Sequence, residues 1–392
     1  MPERGVEKPE EVSMEAGKGG RSMLRQTRME VDLGALEENY RNFRKHVGSS
    51  CQVIGVVKAD GYGMGMLPVV QALSRGGCQR FAVATPDEAV FLRESGMPDP
   101  LLVLGPSPGD AAGVYVEKGI AAALVEPSFA EHLSREAVQQ GKPARIHVKV
   151  DTGMGRVGML LRELPKLLDL LDKLPGIELE GLFTHFATAD ERNRSYTEEQ
   201  FRRYQQAWEL FRSRQKRIAL RHVCNTAGTL NFPSMHLDAV RAGIGLYGMR
   251  PSVFCEEPFP LRPVFRVVTA VGQLRHLPPQ WGVGYGLRYM TRGEDRIAVL
   301  PLGYHDGYSR NFSGKAQVLI RGERAPLVGS VCMDQIMADV SHIPHVQEGD
   351  EVVLIGSQGK ECITPEEMAA HLGTINYEIS HFFSPRVPKV YL

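Results

Sequence analysis

The chain has 392 residues, with 46 Lys and Arg balancing 46 Asp and Glu; a formal net charge of zero argues against a nucleic-acid partner, which needs a cationic face. Hydrophobic residues make up 43% and charged residues 23%, the composition of a globular protein with a full core, and no apolar run reaches the roughly 18 residues of a membrane span. The length accommodates about two or three domains, or one large barrel plus a smaller unit.

The first stretch, MPERGVEKPEEVSMEAGKGG, is polar and has no apolar core of the kind a secretory signal carries. It predicts a disordered leader over residues 1–27. Residues 28–262 alternate short apolar runs with longer amphipathic stretches. The runs are 53–57, 81–84, 101–105, 122–125, 145–150, 179–187, 221–225 and 239–248. Each is apolar through its length, as a parallel strand buried on both faces should be. Helical patterns separate them, at 67–77, 86–96 and 161–176 for example. Eight strand–helix units predict a (β/α)8 TIM-like barrel.

Beyond a Pro-rich linker near 250–265 the texture changes. Short Val- and Ile-rich runs punctuated by Gly and Pro predict a mainly antiparallel β domain over 263–392. One helix is well marked at 364–373: Thr364 as N-cap, Pro365 at the first position, acids in the first turn, Gly373 after the end. The six cysteines show no CxxC and no paired histidine spacing, so no metal site is expected. Free thiols of this kind suit the reducing cytoplasm.

In a barrel the functional side chains sit at the C-terminal strand ends. Those ends carry Lys58, Lys149, Arg156, His185, Thr226 and Arg241, with Asp151 as the one nearby acid. Such a mouth suits an anionic ligand bearing a phosphate and a carboxylate. Lys58 follows five apolar strand residues, and desolvation there lowers an amine's pKa and frees it for Schiff-base chemistry. GMGRVG (153–158) matches GxGxxG, with Glu178 and Glu180 roughly 20 residues on, the pattern of a dinucleotide fingerprint. It belongs to the fifth strand unit rather than the first, so a turn carrying Arg156 into the mouth is the better account.

Taken together these motifs resemble the alanine racemases, fold-type III pyridoxal-phosphate enzymes, from about Met29 to Val390. In VVKADGYG the resemblance implies that Lys58 holds the cofactor aldehyde and Tyr62 reaches the phosphate. In KVDTGMGRVGM it implies a carbamylated Lys149 supporting Arg156, which binds the substrate carboxylate. It places His185 under the pyridine ring and Arg241 at the pyridine nitrogen. Thr226, Gly243, Ile244 and Tyr377 go to the phosphate. In the β domain it makes Tyr285 the second catalytic base, with Arg310 near it, Tyr304 at the entrance and Met333 against the substrate. Departures are Met64 where the family often has His, Thr226 for Ser, and His305 for a small residue.

The resemblance implies interconversion of L- and D-alanine by two bases, Lys58 and Tyr285, one on each face of the α-carbon. D-alanine made this way supplies bacterial peptidoglycan. Because Tyr285 lies outside the barrel, the implied assembly is a cytoplasmic homodimer with composite sites. Neither nucleic acid nor membrane is an expected partner. Three other readings compete. A serine or broad-specificity racemase tends to lack the carbamylated lysine. A non-catalytic pyridoxal-phosphate barrel protein ends where this chain continues for about 130 residues. A sugar- or phosphate-processing barrel would need no cofactor.

Overall fold

The computed structural model describes residues 24–392, so residues 1–23 of the expected leader lie outside the described residues. Residues 25–27 correct that expectation. Arg25 pairs with Asp306 at 2.7 Å, and Thr27 is fully buried with its hydroxyl 2.8 Å from that of Thr269. The next segment, Arg28–Val31 (β1), corrects the barrel's expected start. It pairs antiparallel with Phe265–Ala270 and parallel with Lys389–Tyr391, so it belongs to the sheet of the β domain. The cause is local alternation: Met29 and Val31 are buried while Arg28 and Glu30 face outward.

Helix Leu33–Val47 follows, capped by the Asp32 carboxylate, which accepts from the Ala35 N–H at 2.8 Å. Its buried face includes Leu36, Tyr40 and Phe43. The eight expected runs all become strands: Gln52–Val56 (β2), Phe81–Val83 (β3), Leu101–Val103 (β4), Ala121–Leu124 (β5), Ala144–Lys149 (β6), Ile177–Phe183 (β7), Leu220–His222 (β8) and Ala239–Ala242 (β9). They run parallel in the order β8-β7-β6-β5-β4-β3-β2-β9. Between β8 and β9 the closure is reduced to two backbone bonds, Asp238 N–H to Arg221 O at 3.1 Å and Arg241 N–H to Cys224 O at 2.9 Å. Each fully buried Val or Leu of these strands contributes about 1.5–3 kcal/mol. The eighth strand is shorter than the expected 239–248. At Gly243 the backbone turns (φ −120°, ψ −103°) into the tight turn Ile244–Tyr247.

No helix or strand forms between Gly248 and Val264. The β domain is then a mainly antiparallel sheet, as expected. Its order is Gln273–Leu277, Asp295–Leu300, Ile336–Asp339, Glu323–Val328, Gln317–Ile320, Glu351–Gln358, Phe265–Ala270, β1, Lys389–Tyr391. Helix Pro365–Leu372 forms with the expected caps: Thr364 Oγ1 accepts from Glu367 N–H at 3.1 Å, and Gly373 ends it at φ +69°. After it, the short helix Asn376–Ile379 returns to the barrel, where Asn376 Nδ2 donates to Arg250 O at 2.8 Å.

Candidate active site

At the C-terminal ends of the barrel strands lies a cavity of about 620 Å³ lined by Lys58, Tyr62, Arg156, His185, Thr226, Arg241, Gly243, Ile244 and Tyr377. Nine residues singled out from the sequence therefore meet at one place. Lys58 opens a rare left-handed turn: Ala59, Asp60, Gly61 and Tyr62 all have φ between 53° and 61°. Non-glycine residues hold such angles only when their surroundings impose them. Here the Ala59 N–H donates to Glu88 Oε1 at 2.6 Å, Asp60 accepts from Met66 N–H at 2.8 Å, and Lys389 pairs with Asp60 at 2.6 Å. Burial lowers the pKa of Lys58, and the Arg156 cation lowers it further against the pull of Glu88.

Tyr62 is buried against Tyr247, ring centroids 4.6 Å apart, and the Tyr247 hydroxyl is bonded to Val56 O at 3.1 Å. Thr226 begins a short helix that Asn225 caps through Gly228 N–H at 2.8 Å. The Thr226 hydroxyl accepts from Gly243 N–H at 2.9 Å, joining the seventh and eighth strand ends. A Cβ on Gly243 would sit 2.4 Å from the Tyr62 hydroxyl, so only glycine keeps this corner open.

Arg241 is 3% exposed. Its guanidinium donates to the carbonyls of Thr184 (2.7 Å), His222 (2.9 Å) and Val223 (3.1 Å), and to Nδ1 of His222 (2.8 Å) and His185 (3.2 Å). Burial brings its pKa down to about 10, which leaves it protonated near neutral pH. Burial first, then Arg241, holds His185 well below the usual histidine range. Lys149, at the end of β6, is 5% exposed, with its ammonium 5.4 Å from the centre of the Phe183 ring. Burial, Arg241 and Arg156 push it down to about 8. Arg156 rides on a loop whose Gly153 and Gly155 N–H groups donate to Asp151 Oδ1 at 2.9 and 3.1 Å. No helix follows this loop until the turn at Leu161–Glu163, which disposes of the dinucleotide reading.

Four of the candidate residues lie elsewhere. Tyr285 (73% exposed), Met333 (51%), Tyr304 (41%) and exposed Arg310 are grouped on the β domain and do not line the cavity. The Ser330–Met333 loop connects them: Ser330 donates to Tyr285 O at 3.0 Å, and Tyr304 N–H to Cys332 O at 3.0 Å. Of the departures, Met64 is fully buried and His305 is exposed. Glu88, Tyr247, His222 and His381 were not singled out in the sequence. The Thr85–Glu88 capping signature could have marked Glu88 as bonded, though not to Ala59.

A parallel barrel with a desolvated lysine beside a cationic, hydroxyl-bearing pocket defines an enzyme that handles a small anionic molecule next to an amine. Comparison with known proteins narrows this. Residues 31–251 match the family "Alanine racemase, N-terminal domain" and residues 264–391 match "Alanine racemase, C-terminal domain". The alanine racemase of Symbiobacterium thermophilum is 44% identical over 94% of this chain and 97% of its own length. That of Desulfovibrio desulfuricans is 42% identical over 93% and 97%. The crystal structure of alanine racemase from Bacillus anthracis with bound L-Ala-P superposes with a TM-score of 0.87 at 36% identity, covering 94% of this chain and 96% of that one. The cycloserine complex of the Clostridium difficile enzyme gives 0.87 at 35%, with the same coverage. The chain belongs to the alanine racemase family.

Proposed function

We propose that this chain interconverts L-alanine and D-alanine, with pyridoxal phosphate held at Lys58. The observation that carries the reading is the Lys58 amine, desolvated and crowded by Arg156, opening into a cavity with a hydroxyl-lined corner. The donor set fits the cofactor. Thr226, Tyr62 and Tyr377 offer hydroxyls and Gly243 leaves room for a phosphate, while Ile244 lines the same corner. The bound cofactor supplies the electron sink that acidifies the α-carbon of alanine.

The chain's own residues do the rest. With its pKa lowered, Lys58 offers a neutral amine that takes or returns the α-proton on one face. Arg156 binds the substrate carboxylate, and a carbamate on Lys149 gives that arginine an anionic support. With the cofactor held there, Arg241 would present a donor to the pyridine nitrogen, which would keep that nitrogen unprotonated and disfavour side reactions that need a protonated ring. His185, kept neutral by burial and Arg241, would lie against the cofactor ring.

The opposite face needs a second base, and within one chain Tyr285 lies outside the cavity. A homodimer resolves this: Tyr285 of the partner subunit completes each site, with Arg310 near it, Met333 against the substrate and Tyr304 at the entrance. The lysine then serves D-alanine and the tyrosine L-alanine. Among the described residues no helix is long and apolar enough to cross a membrane. The reading places the enzyme in the cytoplasm, making D-alanine for peptidoglycan. Chiral chromatography of the purified, cofactor-loaded chain tests it. Either enantiomer of alanine should run to a near-equal mixture, faster than serine does; no conversion would refute it.

A further inference from the structure

A guanidinium buried as deeply as that of Arg241 costs several kcal/mol unless its charge is met. None of its five hydrogen bonds goes to a carboxylate. One of them leads to an anion through two imidazoles. His222 Nδ1 is 2.8 Å from Arg241, and its Nε2 is 2.9 Å from His147 Nδ1. His147 Nε2 is 3.5 Å from Glu180 Oε2, and the other Glu180 oxygen lies 2.8 Å from Arg80 at the opposite end of the barrel.

The two ends fix every proton between them. Arginine can only donate, so His222 Nδ1 accepts and His222 carries its proton on Nε2. That proton is given to His147 Nδ1, so His147 carries its own on Nε2, aimed at a carboxylate that can only accept. Any other arrangement sets two donors or two acceptors against each other. We propose that Glu180, His147 and His222 are positioning residues: a one-way hydrogen-bond relay through the barrel core that supplies Arg241 with a distant countercharge and fixes its orientation.

Independent features of the fold support this. The path is dry, with His222 fully buried and His147 3% exposed. Phe183 stacks on His222 at 4.7 Å and 13°, which sets the plane of that ring. A Cβ on Gly181 would fall 2.0 Å from His147 Nδ1, so the strand gives up a side chain there to admit the imidazole. The charges around the relay agree. The contact with His147, then Arg80, holds Glu180 at about 2, and burial, then the Arg241 charge and His147, keep His222 well below the usual range. Arg80 and Lys149 add to that depression of His222.

The relay's link to turnover rests on the function proposed above, but its proton order does not. The test uses the full chain with ¹⁵N-labelled histidine, without and with pyridoxal phosphate. Solid-state ¹⁵N spectra of the cofactor-free protein should show His147 and His222 each as a single tautomer protonated on Nε2. Glu180→Gln removes the anion but leaves a carbonyl that can accept from His147 Nε2–H, and the Arg241 end still orders the protons, so both histidines should stay protonated on Nε2. In the loaded variant kcat for alanine should fall by about tenfold or more, the scale on which outer hydrogen-bond partners act, with KM little changed. Arg80→Gln keeps the carboxylate and should leave tautomers and kcat as in the wild type. A proton on Nδ1 of either histidine in the wild type would overturn the relay, and this reading stands even if Glu180→Gln fails to fold. A Glu180→Gln protein with wild-type kcat would overturn it too. If the wild-type tautomers are as stated but the loaded chain leaves alanine untouched, the relay holds and the racemase reading fails.

Discussion

Replacing Gly243 with alanine would push a methyl group into the corner proposed for the phosphate. The new Cβ would lie 2.4 Å from the Tyr62 hydroxyl and 3.2 Å from Cζ, so the hydroxyl must retreat by about 1 Å to reach ordinary contact. The ring has little freedom, because it leans on Tyr247 at 4.6 Å and Tyr247 is tied to Val56 O. Forcing a methyl into such a place costs about 1–3 kcal/mol of stability. Displacing the hydroxyl also removes one hydrogen bond to a charged group, about 1.5–3 kcal/mol, or roughly 10- to 150-fold in affinity. The assay is titration of the cofactor-free variant with pyridoxal phosphate, followed by absorbance, beside a thermal melt. Tyr62→Phe is the companion, since it deletes the hydroxyl without adding bulk. It should weaken cofactor binding over the same range while melting near the wild type. Wild-type affinity in Tyr62→Phe would remove Tyr62 from the phosphate. A Gly243→Ala protein unchanged in both melting and affinity would refute the steric argument.

Arg156→Ala should lower kcat/KM for alanine by about 10-fold or more, mainly through KM, as expected for a lost charged hydrogen bond; unchanged kinetics would remove Arg156 from the substrate. Lys149, with a folded pKa of about 8, is roughly a quarter neutral at pH 7.5, against about 0.1% for an unperturbed lysine, and only the neutral amine takes up carbon dioxide. Bicarbonate should therefore restore activity to protein held in carbon-dioxide-free buffer, and an intact mass should carry one carbamate. Because that pKa lies below the unfolded value, the penalty on folding is complete below pH 8 and is relieved as pH rises toward 10.5. In carbon-dioxide-free buffer Lys149→Met should then be more stable than wild type at pH 7, by at most about 3 kcal/mol, with the gain gone near pH 10.5. A gain that does not change with pH would contradict the assignment. Tyr285→Phe in deuterated water should retain α-proton exchange from D-alanine far better than from L-alanine; equal residual exchange would end the two-base reading. Mixed with Lys58→Ala subunits it should regain activity, because a hybrid dimer holds one intact composite site, and no recovery after verified subunit exchange would argue against sharing.

The barrel was legible because its strands are buried on both faces and read as unbroken apolar runs, and helix Pro365–Leu372 because its caps are local chemistry. The strand Arg28–Val31 was not. Four residues give little periodicity, and its partners lie more than 230 residues away in sequence. Lys58 stood out for its place after a strand, and the comparisons agree on the family. Tyr377 and the Tyr285 group came from resemblance alone, since nothing local marks a tyrosine that works in a distant pocket. The relay was hidden for another reason. His147 and His222 sit inside apolar runs, and Glu180 draws notice only as an acid spaced after the GxGxxG match; whether such side chains meet depends on barrel closure, which no sequence period encodes.

The central claim is that the Lys58 amine carries the cofactor. Borohydride reduction of the loaded protein, followed by peptide mapping, tests it most directly. The visible absorption band should vanish, and the mass of reduced pyridoxal phosphate should appear on the peptide containing Lys58 and on no other. Lys58→Ala should show neither band nor adduct. An adduct on another lysine, or a Lys58→Ala protein that keeps the band and the turnover, would contradict the account.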